Sequence, residues 1–168
     1  MRPYGCRRYE RCRDYRPSGR PSDGLWCCAD IGRRSEHKPT CFSGGYLTIT
    51  SPTPDTQYKG KEIFTVGGGH NCALGDHIWI FLKDIFGGYY VQNSPVELLT
   101  DGTWVATNIR PGRQIRYILA IYVSPDGNRL IRGWVRMNRW DRIEEDEVTA
   151  LPGYVELARV PIRTPGIE

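Results

Sequence analysis

Two stretches decide the fold, DHIWIFLKD at residues 76–84 and IRYILAIYV at residues 115–123. Each is a β-strand candidate whose apolar side chains fill both alternating faces, as the neighbours Trp79 and Ile80 illustrate. A strand with one wet face alternates apolar and polar residues instead. Both strands therefore need cover on two sides, and we expect them to be neighbours in one sheet.

Six further strand candidates surround these two, each bounded by Gly, Pro, Asp or Asn. They are residues 46–51, 61–66, 88–93, 96–99, 103–109 and 154–162. The chain has 19 Gly and 12 Pro among its 168 residues, which favours short elements and many turns. Short strands at this close spacing predict a β-sandwich or a barrel.

One segment has helical rather than strand periodicity. In residues 128–140, Leu130, Trp134 and Met137 recur at i, i+4 and i+7, and arginines take the opposite side. We expect this helix to cover the outer face of the sheet with those three side chains pointing inward. The preceding residues 124–127 are interpreted as a loop, and a further strand at 128–140 is the alternative.

Short motifs follow the order of these elements over residues 47–163. They are Ile49-Thr50-Ser51-Pro52, Phe64-Thr65-Val66-x-Gly68, Ile78-Trp79, Tyr89-Tyr90-x-Gln92-Asn93, Asp101-Gly102-Thr103-Trp104, Leu151-Pro152-Gly153 and Val160-Pro161-Ile162-Arg163. Together they resemble the immunoglobulin-like modules appended to multidomain bacterial proteins. The resemblance implies a mainly β, immunoglobulin-like sandwich with one helix before its last strand. It also implies a non-catalytic binding or interaction module, with no enzymatic residues and no cofactor.

Charge and cysteine content divide the chain near residue 45. Residues 1–20 hold seven Arg against two acidic side chains, whereas residues 46–168 hold 13 basic and 14 acidic ones. Five of the six Cys lie in residues 1–45, which contain few Val, Ile or Leu. We therefore expect a basic, Cys-rich, irregular tail at 1–45 and the sandwich at 46–168. The tail is either loosely ordered or stapled by disulfides or a metal.

The tail offers an alternative function, binding to nucleic acid or to an anionic surface. Arginine neutralises phosphates and tyrosine stacks on bases, and the tail interleaves both types. The candidate arginines are Arg7, Arg8, Arg11, Arg13 and Arg16. A solvated basic tail without specificity explains the same pattern.

The stretch GGGHNCALGDH at residues 67–77 is a candidate metal site. Its ligands would be His70, Cys72 and His77, with Asp76 as a fourth, although their spacing matches no strong zinc pattern. A Cys–His nucleophile pair in the same loop is a weaker possibility. The simpler interpretation is a flexible glycine-rich turn in which Cys72 is a small buried hydrophobe without a partner in residues 46–168.

A second group of zinc ligand types lies in and beside the tail. It consists of Cys27, Cys28, His37 and Cys41. The adjacent cysteines differ from the spacing of zinc ribbons and fingers. Free or disulfide-linked thiols are the alternative.

Three aromatic residues form a candidate binding surface. Tyr89, Tyr90 and Trp104 would line a carbohydrate or peptide site, although packing in an aromatic-rich core explains them equally well. The expected partner is a protein. The acidic run at residues 144–147 is interpreted as a surface loop.

No apolar run approaches the ~20 residues that cross a bilayer, so we expect no transmembrane helix. The first residues carry charge without an apolar segment behind it, so they do not resemble a secretory signal. That absence favours the cytoplasm. The clustered cysteines suit an oxidising compartment instead, and localisation stays open.

Overall fold

The computed structural model describes residues 40–59, 62–137 and 141–165, within the compact unit Lys38–Glu168. These residues are mainly β, with two sheets and two helices. The elements are β1 (Thr56–Gln57), β2 (Phe64–Gly69), β3 (His77–Asp84), β4 (Tyr89–Pro95), β5 (Glu97–Leu98), β6 (Thr103–Ile109), β7 (Ile115–Val123), α1 (Pro125–Arg136), α2 (Glu145–Thr149) and β8 (Val155–Arg163).

The larger sheet has the strand order β1-β8-β7-β3-β4, and the smaller has the order β2-β6-β5. All the pairings within them are antiparallel except that of β1 with β8. β3 pairs with β7 from His77 opposite Val123 to Asp84 opposite Ile115. This register confirms that the two strands with apolar residues on both faces are neighbours.

Two hydrophobic cores lie on opposite faces of the larger sheet. The first fills the space between the sheets and takes Ile80 from β3 and Trp104 from β6. The second lies between the larger sheet and the helical segment and takes Trp79 from β3 and Ile131 from α1. Because residues alternate across a strand, β3 supplies both cores. The expected cover on two sides is therefore confirmed.

The helix begins earlier than the sequence analysis predicted. Ser124 is its N-cap, with Oγ accepting a hydrogen bond from Gly127 N–H at 3.4 Å, and Pro125 opens the first turn. The predicted loop at residues 124–127 is therefore wrong beyond Ser124. A capping Ser followed by Pro and an acidic residue is a helix-start signal, because it satisfies or avoids the unpaired first N–H groups.

The predicted inner face of α1 is wrong for Leu130 and Met137 but right for Trp134, which packs against the second core. Leu130 and Met137 are 50% and 71% exposed, whereas Ile131 is fully buried and Trp134 is half-buried. The buried face begins at Gly127, where a Cβ would overlap the Pro152 carbonyl oxygen and crowd Val123. The glycine allows the close approach of helix to sheet but adds no apolar side chain to the sequence pattern, so the pattern favoured the neighbouring face.

The glycines at 67–69 are strand residues and not the predicted turn. They end β2, and the predicted strand 46–51 lies beside them with only isolated bridges, Leu47 to His70 and Ser51 to Gly67. A Cβ on Gly68 would overlap the Thr48 carbonyl oxygen, which also accepts a hydrogen bond from Trp104 Nε1 at 2.8 Å. Glycine is therefore required here by close backbone approach.

Cys72 has a partner, which corrects the interpretation that it is unpaired. It forms a disulfide with Cys41 across 31 positions of sequence, with the two Cα atoms 5.0 Å apart. Both residues are buried in the core between the sheets. Cys41 was assigned to the tail because the sequence around it is polar, but it is covalently part of the β domain.

The acidic run contains a short helix, which the sequence analysis did not predict. α2 places Glu145, Asp146 and Glu147 in its first turn, where negative charge is favourable near the unpaired N–H groups. Val148 is fully buried beneath it. One apolar residue therefore anchors an otherwise exposed segment to the second core.

Candidate ligand-binding cavity

The three aromatic residues of the predicted binding surface do not come together. Trp104 is buried between the sheets, and Tyr89 is buried on the other side of the larger sheet. The hydroxyl of Tyr89 accepts a hydrogen bond from Lys83 Nζ at 3.1 Å and lies 3.3 Å from Glu145 Oε1. Only Tyr90, which is half-buried, lines a cavity.

The predicted metal ligands His70, Cys72 and His77 do not form a ligand cluster within the described residues. His70 is buried with both ring nitrogens occupied, because Nδ1 accepts from Cys72 N–H at 3.1 Å and Nε2 lies 2.9 Å from the Leu99 carbonyl oxygen. His77 is a half-buried residue at the start of β3. Among the described residues, the group with metal-ligand spacing is Cys41, Cys72 and Asp76, whose ligand atoms lie within 4.8 Å of one another.

That group holds no free thiolate in this structure, because its two sulfurs are bonded to each other. Asp76 Oδ2 accepts a hydrogen bond from the backbone N–H of Cys41 at 2.6 Å. The other three residues of the second zinc candidate, Cys27, Cys28 and His37, lie outside the described residues. So do the five arginines of the tail, Arg7, Arg8, Arg11, Arg13 and Arg16.

The cavity lies beside edge strand β4, at the turn between β6 and β7. Its volume is about 440 Å³, within the usual range of small-ligand sites. Residues of β3, β4, β6, β7 and the turn line it: Leu82, Tyr90, Val91, Gln92, Asn93, Asn108, Arg110, Pro111, Gly112, Arg113 and Ile115. Its place at the end of both sheets leaves it open to solvent.

Both strands that form its walls are irregular at the cavity. On β4, the residues that pair with Phe81 and Trp79 are Val91 and Pro95, so three residues of β4 lie opposite the single residue Ile80 and two of them are additional. A second irregularity lies where β6 pairs with β2, because the register shifts between Phe64 and Val66. Asn108 lies in the corresponding part of β6 and has a positive φ of 60°. Such bulges bend a strand and redirect its side chains, and they are common beside functional sites.

The turn is fixed by backbone hydrogen bonds on both sides of Gln114. Its carbonyl oxygen accepts from Ile85 N–H at 3.0 Å, and its N–H donates to the Pro165 carbonyl oxygen at 3.1 Å. Gln114 has a φ of 60°, a conformation that costs free energy for any residue except glycine. Because two bonds hold this conformation, residues 110–113 keep a defined position beside β4.

The side-chain amide of Gln92 is a polar group of the cavity whose hydrogen bonding is defined on one side and open on the other. The residue is 8% exposed, and its Oε1 accepts a hydrogen bond from the backbone N–H of Arg110 at 3.2 Å. That bond assigns the other side-chain atom as the NH₂ group, which donates to no described protein atom. Since no fully buried side-chain atom in the described residues lacks a partner, this NH₂ group reaches solvent-accessible space. Gln92 therefore presents a donor to the cavity.

Two arginines provide the charge of the cavity. Arg110 and Arg113 are exposed and form no ion pair within the described part of the chain, and none of the lining residues is acidic. Asp84, which is hydrogen-bonded to the lining residue Tyr90, is paired with a different arginine. Its Oδ2 accepts from the Tyr90 hydroxyl at 3.2 Å and lies 3.6 Å from Arg142 Nε. Within the described residues, Arg110 and Arg113 therefore have no carboxylate partner.

The protonation of Tyr90 follows from its surroundings. Burial, and then the negative charge of Asp84, raise the pKa of the Tyr90 hydroxyl above its ordinary value. The hydroxyl therefore stays neutral at physiological pH and donates to Asp84. This bond leaves the ring of Tyr90, rather than its hydroxyl, as the group available to a ligand.

The floor of the cavity is apolar and rigid. Leu82 and Ile115 are 1% and 3% exposed, and both belong to the core between the sheets. Ile115 is held by Thr164, whose Oγ1 accepts from its N–H at 2.9 Å and lies 3.1 Å from its carbonyl oxygen. A ligand would therefore meet polar donors at the rim, and the apolar surface open to it belongs mainly to the half-buried ring of Tyr90.

Among these residues, the sequence analysis predicted only Tyr90 as a binding residue. Gln92 and Asn93 belong to one of the motifs that indicated the fold, and Arg110 and Arg113 entered only the count of basic side chains. The Pro-Gly pair in Arg110-Pro111-Gly112-Arg113 is the sequence signal for the loop that places both arginines at the cavity.

No family model, curated protein or solved structure matches the chain. Within the residues that the structure describes, neither helix has the length and apolar character needed to span a bilayer.

Proposed function

We propose that the β domain is a non-catalytic binding module that takes a protein partner at this cavity. The observation that carries the proposal is the Gln92 side chain, which is more than nine-tenths buried and presents an unpartnered amide NH₂ group to the cavity. Because this NH₂ group reaches solvent-accessible space, a ligand acceptor can replace water as its hydrogen-bond partner. The half-buried ring of Tyr90 in the same cavity offers apolar surface that a ligand could cover.

We also propose that the two sheets form an immunoglobulin-like sandwich. Such domains place strands B, E and D in one sheet and G, F and C in the other, and variable-type domains add C′ beside C. If β2 is taken as B and the following strands as C, C′, D, E, F and G, the smaller sheet has the order B-E-D. The larger sheet then has the order G-F-C-C′ next to β1, which supports the proposal. Interstrand NOEs in the full chain that pair β2 with a strand other than β6 would contradict it.

Selection from a random heptapeptide display library tests the binding function with the full chain. Asn93→Trp fills the cavity from an exposed position of β4, and Thr107→Trp adds the same ring to an exposed position of β6 outside it. We expect the wild type and Thr107→Trp to enrich the same peptides, and Asn93→Trp to lose them. Circular dichroism melts would verify that both variants fold.

Two outcomes would overturn the proposal. One is that no peptide is enriched above the level of an unrelated β protein. The other is that folded Asn93→Trp enriches the same peptides as the wild type, which would place binding elsewhere.

A further inference from the structure

We infer that the cavity recognises a carboxylate next to an apolar side chain in an acidic peptide segment. The inference rests on the proposed binding function and specifies the chemistry of its ligand. Three residues that line the cavity carry donor groups with no acceptor among the described residues: Arg110 and Arg113 with their guanidinium groups, and Gln92 with its amide NH₂ group. Such donors match an oxyanion, since hydrogen bonds from charged donors to a carboxylate are stronger than neutral ones.

The backbone that carries these donors is fixed by hydrogen bonds within the protein. Arg110 is tied to β4 through its backbone bond to Gln92, and the turn that carries Arg113 is held through Gln114. Positive φ angles at Asn108 and Gln114 maintain the turn at some cost in free energy. A site whose backbone is already ordered loses less conformational entropy on binding.

The ring of Tyr90 favours more than a bare anion. It is the least buried of the apolar side chains that line the cavity, since Leu82 and Ile115 are almost fully buried already. A small inorganic anion would leave this ring in contact with water. An aliphatic side chain adjacent to the carboxylate would cover it, and the burial of its apolar surface would add to affinity.

A peptide fits these observations better than a nucleic acid does. Nucleic acids bind along wide basic surfaces that neutralise many phosphates. Residues 46–168 carry 13 basic and 14 acidic side chains, so the β domain has no overall positive charge. At the cavity the charge comes from two arginines, which is enough for a single carboxylate.

The test is an NMR titration of the full ¹⁵N-labelled chain, followed at the Gln92 side-chain amide and the arginine Nε–H signals. The first probe is an acetylated and amidated hexapeptide, Gly-Ser-Glu-Leu-Ser-Gly, and the second has Gln in place of Glu. We expect the Glu peptide to shift these signals with an affinity about tenfold higher than that of the Gln peptide, since one charged contact pair is replaced by a neutral one.

A third probe separates two sources of the carboxylate. Acetyl-Gly-Ser-Gln-Leu with a free carboxyl terminus carries its only charge at the chain end. Tighter binding of this peptide than of the Glu hexapeptide would assign the cavity to a carboxyl terminus, and the reverse would assign it to an acidic side chain. Either result supports the inference.

Charge variants give an independent readout. Arg110→Gln and Arg113→Gln are each expected to weaken Glu-peptide binding about tenfold, whereas Arg132→Gln, an exposed change of equal charge on α1, should not. Gln92→Glu keeps the oxygen that accepts from Arg110 but replaces the NH₂ donor by an acceptor. It is expected to abolish binding of the Glu peptide at pH 7 while the chain remains folded.

Equal binding of the Glu and Gln peptides, or binding of inorganic phosphate or a dT hexanucleotide at least as tight as that of the Glu peptide, would overturn the inference. If both peptides bind equally and Asn93→Trp blocks both, the carboxylate inference fails while the binding module stands. If no peptide shifts the cavity signals and the library selection also fails, both are wrong.

Discussion

Trp79 Nε1 donates a hydrogen bond of 3.0 Å to Asn128 Oδ1, and the two residues are only 1% and 9% exposed. Trp79 belongs to the central strand β3, and Asn128 lies in the first full turn of α1. The indole ring packs in the core between sheet and helix, while its polar N–H group needs an acceptor because water is excluded. This bond therefore fixes where the helix begins to cover the sheet.

Asn128→Leu should destabilise the fold by about 1–3 kcal/mol, the cost of leaving a buried donor unsatisfied. Asn128→Asp keeps an acceptor at the same position and should cost less. Urea unfolding followed by tryptophan fluorescence measures both, with Arg129→Leu as an exposed control on the same helix. Equal stability of Asn128→Leu and the wild type would contradict the proposed role of this bond.

Adjacent residues of α1 provide a second test. Ile131→Ala should cost about 2–4 kcal/mol, because its side chain is fully buried in the second core. Leu130→Ala removes a similar side chain from a half-exposed position and should cost less than about 1 kcal/mol. If chemical denaturation showed a larger loss of stability for Leu130→Ala than for Ile131→Ala, the buried helix face would be the one that the sequence periodicity predicted.

The Cys41–Cys72 disulfide should stabilise the domain by about 3 kcal/mol, since it closes a loop of moderate length in the unfolded chain. Deleting residues 1–44 removes Cys41 and should lower stability by this amount, whereas deleting residues 1–39 leaves the disulfide in place. Denaturation of the two truncated proteins measures the difference. A non-reducing tryptic digest should contain the linked peptides of both cysteines, and free thiols at both positions would refute the pairing.

The ion pair of Lys83 with Glu145, 3.0 Å apart, predicts a specific pH dependence. Hydrogen bonding to Lys83, and then its positive charge, lower the pKa of Glu145 below its ordinary value of 4.5. The stabilisation is therefore complete above pH 4.5 and is lost as the pH falls through the lowered folded-state pKa. Glu145→Gln should lower the free energy of unfolding by about 0.5 kcal/mol at pH 7, as expected for an exposed ion pair. It should leave that free energy unchanged below the folded-state pKa of Glu145, where the wild-type side chain is also uncharged.

The pKa of Lys83, the basic partner in this ion pair, shifts in the opposite direction to that of Glu145. Burial alone would lower the pKa of Lys83, but hydrogen bonds to Tyr89 and Glu145 raise it above its ordinary value of 10.5. The contribution of Lys83 to stability is therefore full below pH 10.5 and is lost as the pH rises through the folded-state pKa. Glu97→Gln, an exposed change of equal charge on β5, serves as the control for the pH series. An identical pH profile for Glu145→Gln and the wild type would contradict the assignment.

The sheet core was predictable because burial on both faces leaves a direct mark on the sequence. β3 and β7 contain continuous apolar runs, and those runs alone indicated their pairing and the need for a covering helix. The inner face of α1 was not predictable from periodicity, since Gly127 and Asn128 contribute to it through close approach and one hydrogen bond. The Cys41–Cys72 pairing was missed because a disulfide depends on distance in space.

The cavity was largely invisible to sequence analysis. Its shape arises from extra residues in β4 and a bulge in β6, and both depend on which residues pair across the strands. Gln92 resembles any polar strand residue until its Oε1 is seen bonded to the turn. Aromatic residues attracted attention instead, but large apolar rings are usually buried, as Tyr89 and Trp104 are here.

The two-sided strand β3 has a consequence for how the protein melts. Ile80 and Phe81 are adjacent in sequence and belong to different cores, so β3 cannot leave one core without disrupting the other. The helical layer cannot detach as an independent intermediate while the two sheets remain native, because its departure would expose Trp79 and Phe81 to water. The domain should therefore absorb heat in one calorimetric transition whose van't Hoff and calorimetric enthalpies agree.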